Sequence, residues 1–211
     1  MTFRERPPVQ LKGMHRPVRP IEVLSSANET GIDQPRDVES PIAVVTVMFT
    51  NIIGSTELAS RLRDEEWSRL LDRYHARTYD QVAAFGGRVI DDVGDSVLAV
   101  FDRHAKAVES GLAIIESLRE YDLRIGIGLH TGECRLSAGK VRGIAVHVAV
   151  RVTDFASAGE VLVTSTVRPL LKGSTLQFED RSVQQLRGLP GEWALSAARR
   201  TPGDKAPRFE S

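Results

Sequence analysis

IAVVTVMFTNIIGST, residues 42–56, is a continuous apolar run that passes into a polar turn with one glycine and then a hydroxyl-rich helix start. Residues 42–49 are apolar or β-branched throughout, which predicts a strand buried on both faces in the middle of a sheet. A strand end fixes the position of polar side chains, and a helix N-terminus presents free N–H groups to an anion. The layout is that of a phosphate and metal site. Asn51 is the discordant residue in it, because a neutral amide stands where an anionic metal ligand is wanted.

Working outward, the domain starts at Pro41. Residues 1–40 carry Pro7, Pro8, Pro17, Pro20 and Pro35, few large apolar residues and no sustained periodicity, which predicts a largely disordered arm whose arginines are solvated. After the turn, Ser55 or Thr56 is placed to cap a short helix with Leu58 and Leu62 on one side. Asp64 is placed to cap the next, in which Trp67, Leu70, Leu71, Tyr74, Thr78, Val82 and Phe85 keep helical spacing up to Gly86 and Gly87.

Two short strands, 88–92 and 96–101, flank Gly94 and Asp95, a hairpin signal with an acid at its exposed tip. A helix over 104–121 has Ala105, Val108, Leu112, Ile115 and Leu118 as its inner face, and 123–130 is a strand with Arg124, Gly126 and Gly128 interleaved. A loop at 139–143, a helix over 144–155, a strand at 160–163, a short helix from Ser165 to near Gly173 and a final hairpin, 177–186 with 192–196, complete the order. The tail from Arg199 is polar and expected to fray. The expected class is α+β: a ferredoxin-like βαββαβ sandwich core with a C-terminal α/β extension, over residues 41–198.

The 211 residues hold 28 Lys plus Arg and 28 Asp plus Glu, so net charge gives no pull toward nucleic acid or an anionic membrane surface. A single cysteine, Cys134, excludes an intramolecular disulfide and a cysteine-based zinc cluster; it reads as a small half-buried residue. No apolar run is long enough to span a bilayer and the basic start has no apolar segment of a secretory signal, so a cytoplasmic location is expected. Aromatic residues are only 6%, too few to interleave on strands as an RNA-stacking surface requires.

FTNIIGST (49–56), GGRVIDDVGDSVLAVF (86–101), GLHTGE (128–133), GIAVHVAVRV (143–152) and LRGLPGEW (186–193) occur in the order and spacing of one family. The chain resembles the class III adenylyl and guanylyl cyclase catalytic domain in its bacterial form, over about residues 42–197.

The resemblance implies a head-to-tail homodimer that builds each site from both subunits, acts on a purine nucleoside triphosphate and uses Mg²⁺ or Mn²⁺. One subunit's two metal aspartates fall on Asn51 and Asp95, and the backbone of Ile52, Ile53, Gly54 and Ser55 falls where the phosphates are wrapped. From the other subunit, the purine-reading pair falls on Asp91 and Lys140, the nucleotide-orienting asparagine on His147, the transition-state arginine on Arg151 and the triphosphate's basic residue on Arg187.

Asp95, His147, Arg151 and Arg187 fit that pattern, whereas Asn51, Asp91 and Lys140 depart from it. A neutral carbonyl at 51 implies weak or single-site metal binding, hence a weakly active or inactive domain; the alternatives are an active cyclase that converts ATP or GTP to cyclic nucleotide and pyrophosphate, with Asn51 tolerated through its carbonyl, and a subunit that completes a heterodimeric site. Adenylyl members have lysine at 91 and aspartate at 140; the exchange here mispairs adenine and suits guanine, with donors at N1 and N2 and an acceptor at O6. The plainer alternatives are that Asp91 and Lys140 pair with each other, that His147 and Arg151 form an ordinary polar helix face, that Asp92 is a surface acid and that His130 is a hydrogen-bonded core histidine.

Overall fold

Residues 42–52 form the central strand β3 (Ile42–Ile52) of the computed structural model, which describes residues 41–201 and, ahead of them, the backbone of β1 (Thr2–Glu5) and β2 (Ile21–Leu24). The chain divides into two units, Met1–Val38 and Glu39–Ser211. In the first, β1 and β2 pair antiparallel, with Thr2 opposite Leu24. These strands were not predicted by the spacing; the rest of the expected arm, and the expected tail beyond residue 201, lie outside the described residues.

The second unit follows the order α1 (Ser55–Arg61), α2 (Asp64–Ala84), β4 (Arg88–Val93), β5 (Ser96–Phe101), α3 (His104–Leu118), β6 (Ile125–Ser137), β7 (Lys140–Arg142), α4 (Ile144–Thr153), β8 (Glu160–Thr164), β9 (Leu176–Gln184) and β10 (Trp193–Arg200). One mixed sheet runs β4-β5-β3-β6-β8-β10-β9, with β7 paired to β6. Only β6 and β8 are parallel neighbours; the other pairs are antiparallel.

Alternation along the strands divides the core into two layers. Met48 and Ile52 of β3 share one cluster with Ile125, Ile127 and Leu129 of β6, Tyr74 and Val82 of α2, and Val108, Ile114 and Leu118 of α3. Val45 and Val47 lie in another with Ala145 and Ala149 of α4, while Val148 and Val152 of α4 join Leu162 and Leu195. Each such large side chain removed from water contributes about 1.5–3 kcal/mol. Helix α4 rests directly on the backbone of β6. A Cβ at Gly128 would lie 2.4 Å from Thr153 Oγ1 and 2.5 Å from Thr153 N, so the glycine is there to admit the helix.

Several local expectations shift. The helix caps fall one residue earlier: Gly54, left-handed at φ 76°, precedes α1, and Arg63 precedes α2, its N–H donating to Glu66 Oε2 at 3.2 Å. The buried stripe of α3 is centred on Ala107, Gly111, Ile114 and Leu118, with Ala105, Leu112 and Ile115 half-buried at its margin. Strand β6 continues to Ser137 because Cys134 and Leu136 alternate inward against exposed Glu133 and Arg135; it then turns at Ala138 and Gly139 into β7, where a loop was expected. Cys134 is fully rather than half buried. The helix after Ser165 is a 3-10 turn, Arg168–Leu171. Arg199 and Arg200 do not fray but pair with Gln177 and Leu176.

Candidate active site

The end of β3 and the β4–β5 hairpin are bound into one unit. Asn51 is the register partner of Ser96, and both side chains lie on the α4 face, as alternation with Thr50 and Val97 requires. Ser96 Oγ is 2.9 Å from Asn51 Oδ1 and 3.2 Å from Asp95 Oδ1. The backbone secures the same junction: Ile52 N donates to Asp95 O at 3.0 Å, and Ile53 N to Arg124 O at 2.7 Å. Gly54 then turns the chain in a left-handed conformation, with open space around it, into Ser55 and α1.

Consecutive residues of α2 hold both carriers from the opposite side. Tyr74 and Thr50 share a hydrogen bond between their hydroxyls, 2.6 Å, and His75 Nε2 lies 2.8 Å from Gly94 O at the hairpin tip. Nε2 must therefore carry the proton, since a carbonyl only accepts. Tyr74 is completely buried, and burial pushes its phenol above the ordinary value, so it acts as a neutral tie.

Asn51 Oδ1, Ser96 Oγ and Asp95 Oδ1 are hard oxygen donors of the kind that suits a divalent cation such as Mg²⁺ or Mn²⁺. Among the described residues no group of three or more His, Cys, Asp or Glu is arranged to hold a metal. The donor set, with one carboxylate, is compatible with a divalent ion. Asp92 is not part of it: it is exposed, and its N–H donates to Asp91 Oδ1 at 3.0 Å.

The second group of expected residues lies on β4, β7, α4 and the C-terminal turn. Asp91 is exposed on β4, opposite Leu98, just past a register shift that begins at Val89. Lys140 is exposed at the start of β7, opposite Ser137. Among the described residues no ion pair joins Asp91 to Lys140, so the two are not consumed by each other within one chain. On α4, His147 is exposed and Arg151 follows one turn later on the same face. Arg151 Nε donates to Arg187 O at 3.3 Å, and its Nη1 lies 3.5 Å from Asp154 Oδ2. The turn carrying Arg187 is thereby drawn against the helix carrying Arg151.

His130 is a core residue, as the plainer alternative held. Its Nδ1 is 2.8 Å from Thr164 Oγ1 and its ring meets Trp193 edge-on at 5.5 Å. Burial pushes it down to about 4, so it is neutral at physiological pH. Ser96 and His75 were not singled out by spacing, and Tyr74 was read only as part of the apolar stripe of α2, not as the partner of Thr50. Ser96 could have been found from the hairpin signal at Gly94 and Asp95, once Asn51 is placed on the neighbouring strand.

Residues 38–196 match the model of the adenylate and guanylate cyclase catalytic domain. The chain belongs to this family. The adenylate cyclase of Streptomyces coelicolor is 34% identical over 123 residues, which are 56% of this chain and 32% of that protein. A pH-sensitive adenylate cyclase of Mycobacterium tuberculosis is 30% identical over 162 residues, 74% of this chain and 41% of its own. The chain spans less than half the length of these curated relatives.

Among solved structures, the adenylyl cyclase CyaB from P. aeruginosa superposes with a TM-score of 0.71 at 23% identity, covering 78% of this chain and 98% of the other. The guanylate cyclase domain from Catenaria anguillulae, in complex with GTP, gives 0.68 at 21%, covering 74% and 96%. The cyclase-like domain thus has the α+β fold of class III cyclases, as the motifs implied. No helix among the described residues is long and apolar enough to cross a membrane.

Proposed function

We propose that this cyclase domain acts in cyclic nucleotide signalling as a head-to-tail dimer that is by itself weakly active or inactive, because Asn51 replaces a metal carboxylate. The observation that carries this reading is the donor set at the strand end: one carboxylate, Asp95, tied through Ser96 to a neutral amide. When bound, Mg²⁺ or Mn²⁺ would supply activation of the ribose 3′-hydroxyl and neutralise the triphosphate.

This chain's residues do the rest. Asp95 and Asn51 would hold the ion through their side-chain oxygens. The backbone from Ile52 through Ile53 and Gly54 to Ser55 lies against the phosphates. His147 orients the nucleotide, Arg151 faces the charge that develops on phosphorus, and Arg187 meets the triphosphate. Loss of one anionic ligand removes several kcal/mol of stabilisation from the ring closure, a fall in rate on the order of 10²-fold.

Asp91 and Lys140 favour guanine over adenine in the base pocket, since an acid accepts from N1 and N2 and lysine donates to O6. Calorimetric titration with GTP and with ATP checks this: tighter ATP binding sinks the guanine preference. The domain as a whole is tested by a cyclase assay on pure protein with GTP and ATP, each with Mg²⁺ and Mn²⁺, beside Asn51→Asp. A native rate equal to the variant's removes the degenerate reading.

A second reading is favoured by one specific contact. Arg151 is held on the Arg187 carbonyl, which supports a half-site that a subunit could lend to its partner even with its own metal half weakened. In a heterodimer with an intact cyclase domain, Arg151 and His147 would serve the partner's metals while the mirror site stays silent. Mixing with such a domain bearing Arg→Ala at the equivalent of Arg151 tests it; no gain in turnover on mixing rejects it. The chain's setting is cytoplasmic on this account.

A further inference from the structure

Ser96 stands between the two residues assigned to the cation, and its hydroxyl has one proton to give. Its Oγ lies 2.9 Å from Asn51 Oδ1 and 3.2 Å from Asp95 Oδ1. With an oxygen on both sides, one of these contacts has no proton in it, and two lone pairs face each other. The oxygen and nitrogen of a side-chain amide exchange places by a half-turn about its last torsion. With Asn51 Nδ2 toward Ser96, both contacts carry a proton: the amide N–H donates to Ser96 Oγ, and the Ser96 hydroxyl donates to the Asp95 carboxylate as a charge-assisted bond. Among the described residues, Asn51 Nδ2 has no other protein partner that this half-turn would sacrifice.

We infer that Ser96 is a positioning residue, which holds Asn51 and Asp95 in a one-way hydrogen-bond relay running from the Asn51 amide through the Ser96 hydroxyl to the Asp95 carboxylate. The relay depends on asparagine. An aspartate at 51 has no N–H to give, and two carboxylates would compete for the single serine proton, leaving their repulsion to be cancelled by metal ions. With asparagine the pair is held in place before any ion arrives, and the Asn51 carbonyl oxygen is left as the free acceptor. The ligand that such a pair takes is one hard divalent cation rather than two. This deepens, and rests on, the cation role proposed for Asn51 and Asp95.

The test uses the full chain, ¹⁵N-labelled and metal-free, with the Asn51 side-chain amide signals assigned by their loss in Asn51→Asp. One Asn51 amide proton exchanges slowly with water in the native protein and in Ser96→Thr, which keeps the hydroxyl, and both exchange rapidly in Ser96→Ala. Mn²⁺ alone then binds the native protein with one-to-one stoichiometry and binds Ser96→Ala on the order of 10-fold more weakly, as loss of a ligand-orienting partner does, with affinity restored in Ser96→Thr. Rapid exchange of both protons in the native protein overturns the relay, as does an Asn51 signal indifferent to Ser96→Ala. Equal Mn²⁺ affinity in native and Ser96→Ala overturns the positioning role. A protected proton in a native protein that binds no Mn²⁺ upholds the relay and overturns the cation role, so the two failures are told apart.

Discussion

Gly128→Ala is the substitution that bears most directly on how α4 is set against the sheet. A Cβ there would lie 2.4 Å from Thr153 Oγ1, 2.5 Å from Thr153 N and 2.7 Å from Ala149 O, all far short of the 3.4 Å at which ordinary contact begins. Two of the three are backbone atoms, so no side-chain rotation relieves them and α4 must lift by roughly 1 Å. Overpacking of this kind costs about 3 kcal/mol, the upper part of the usual range, and in a domain of this size about 6–12 °C of melting temperature.

Gly126→Ala is the control on the same strand: its Cβ would meet Ala156 Cβ, Ala156 O and Ile53 Cδ1, each at 3.2 Å, and about 1 kcal/mol is expected. Thermal unfolding of the three proteins gives the order native, Gly126→Ala, Gly128→Ala. The ¹⁵N signal of Arg151 Nε should also shift in Gly128→Ala, because that group reaches Arg187 O from the displaced helix. A Gly128→Ala protein that melts within about 2 °C of native, or above Gly126→Ala, refutes the close seating of α4.

His130 gives a pH dependence of definite sign. Burial holds it at about 4 when folded, below its unfolded value, so its contribution is complete above about pH 6.5 and is lost as pH falls toward 4. Urea unfolding at pH 7.5 and 4.5 should show the native protein losing about 2–3 kcal/mol more than His130→Asn; equal losses would contradict it. Tyr74→Phe removes the hydroxyl bonded to buried Thr50, leaving Val97 O at 3.5 Å as the remaining neighbour, and should cost about 1–2 kcal/mol by the same urea measurement. An unchanged unfolding midpoint would show that Thr50 finds another partner.

Much of this architecture could be read from the residues, and the rest fails for identifiable reasons. Residues 42–52 announce a central strand because apolar side chains fall on both faces, and both layers of the core confirm it. Gly126 and Gly128 read only as residues interleaved in a strand; that α4 needs the space at Gly128 is a tertiary relation with no local signal. Of the expected α3 face, Val108 and Leu118 are buried, whereas Leu112 and Ile115 sit at its edge because small residues, Ala107 and Gly111, mark the closest packing. Strand β6 was cut short at His130 because Glu133 and Arg135 mask a period-two pattern carried only by Cys134 and Leu136.

At the site, Asn51, Asp95, His147, Arg151 and Arg187 were legible as motif positions. The part played by Ser96 was not, because it depends on β3 and β5 register, a relation between residues 45 apart in sequence. The same holds for His75, whose carbonyl partner at Gly94 lies on another element.

The measurement closest to the central claim is the Mn²⁺-dependent rate of cyclic nucleotide formation from GTP and ATP by native protein and by Asn51→Asp, purified and assayed side by side. Restoring the second carboxylate should raise the rate on the order of 10²-fold for at least one nucleotide. A native protein that turns over as fast as Asn51→Asp would contradict the account, since Asn51 would then cost the site nothing.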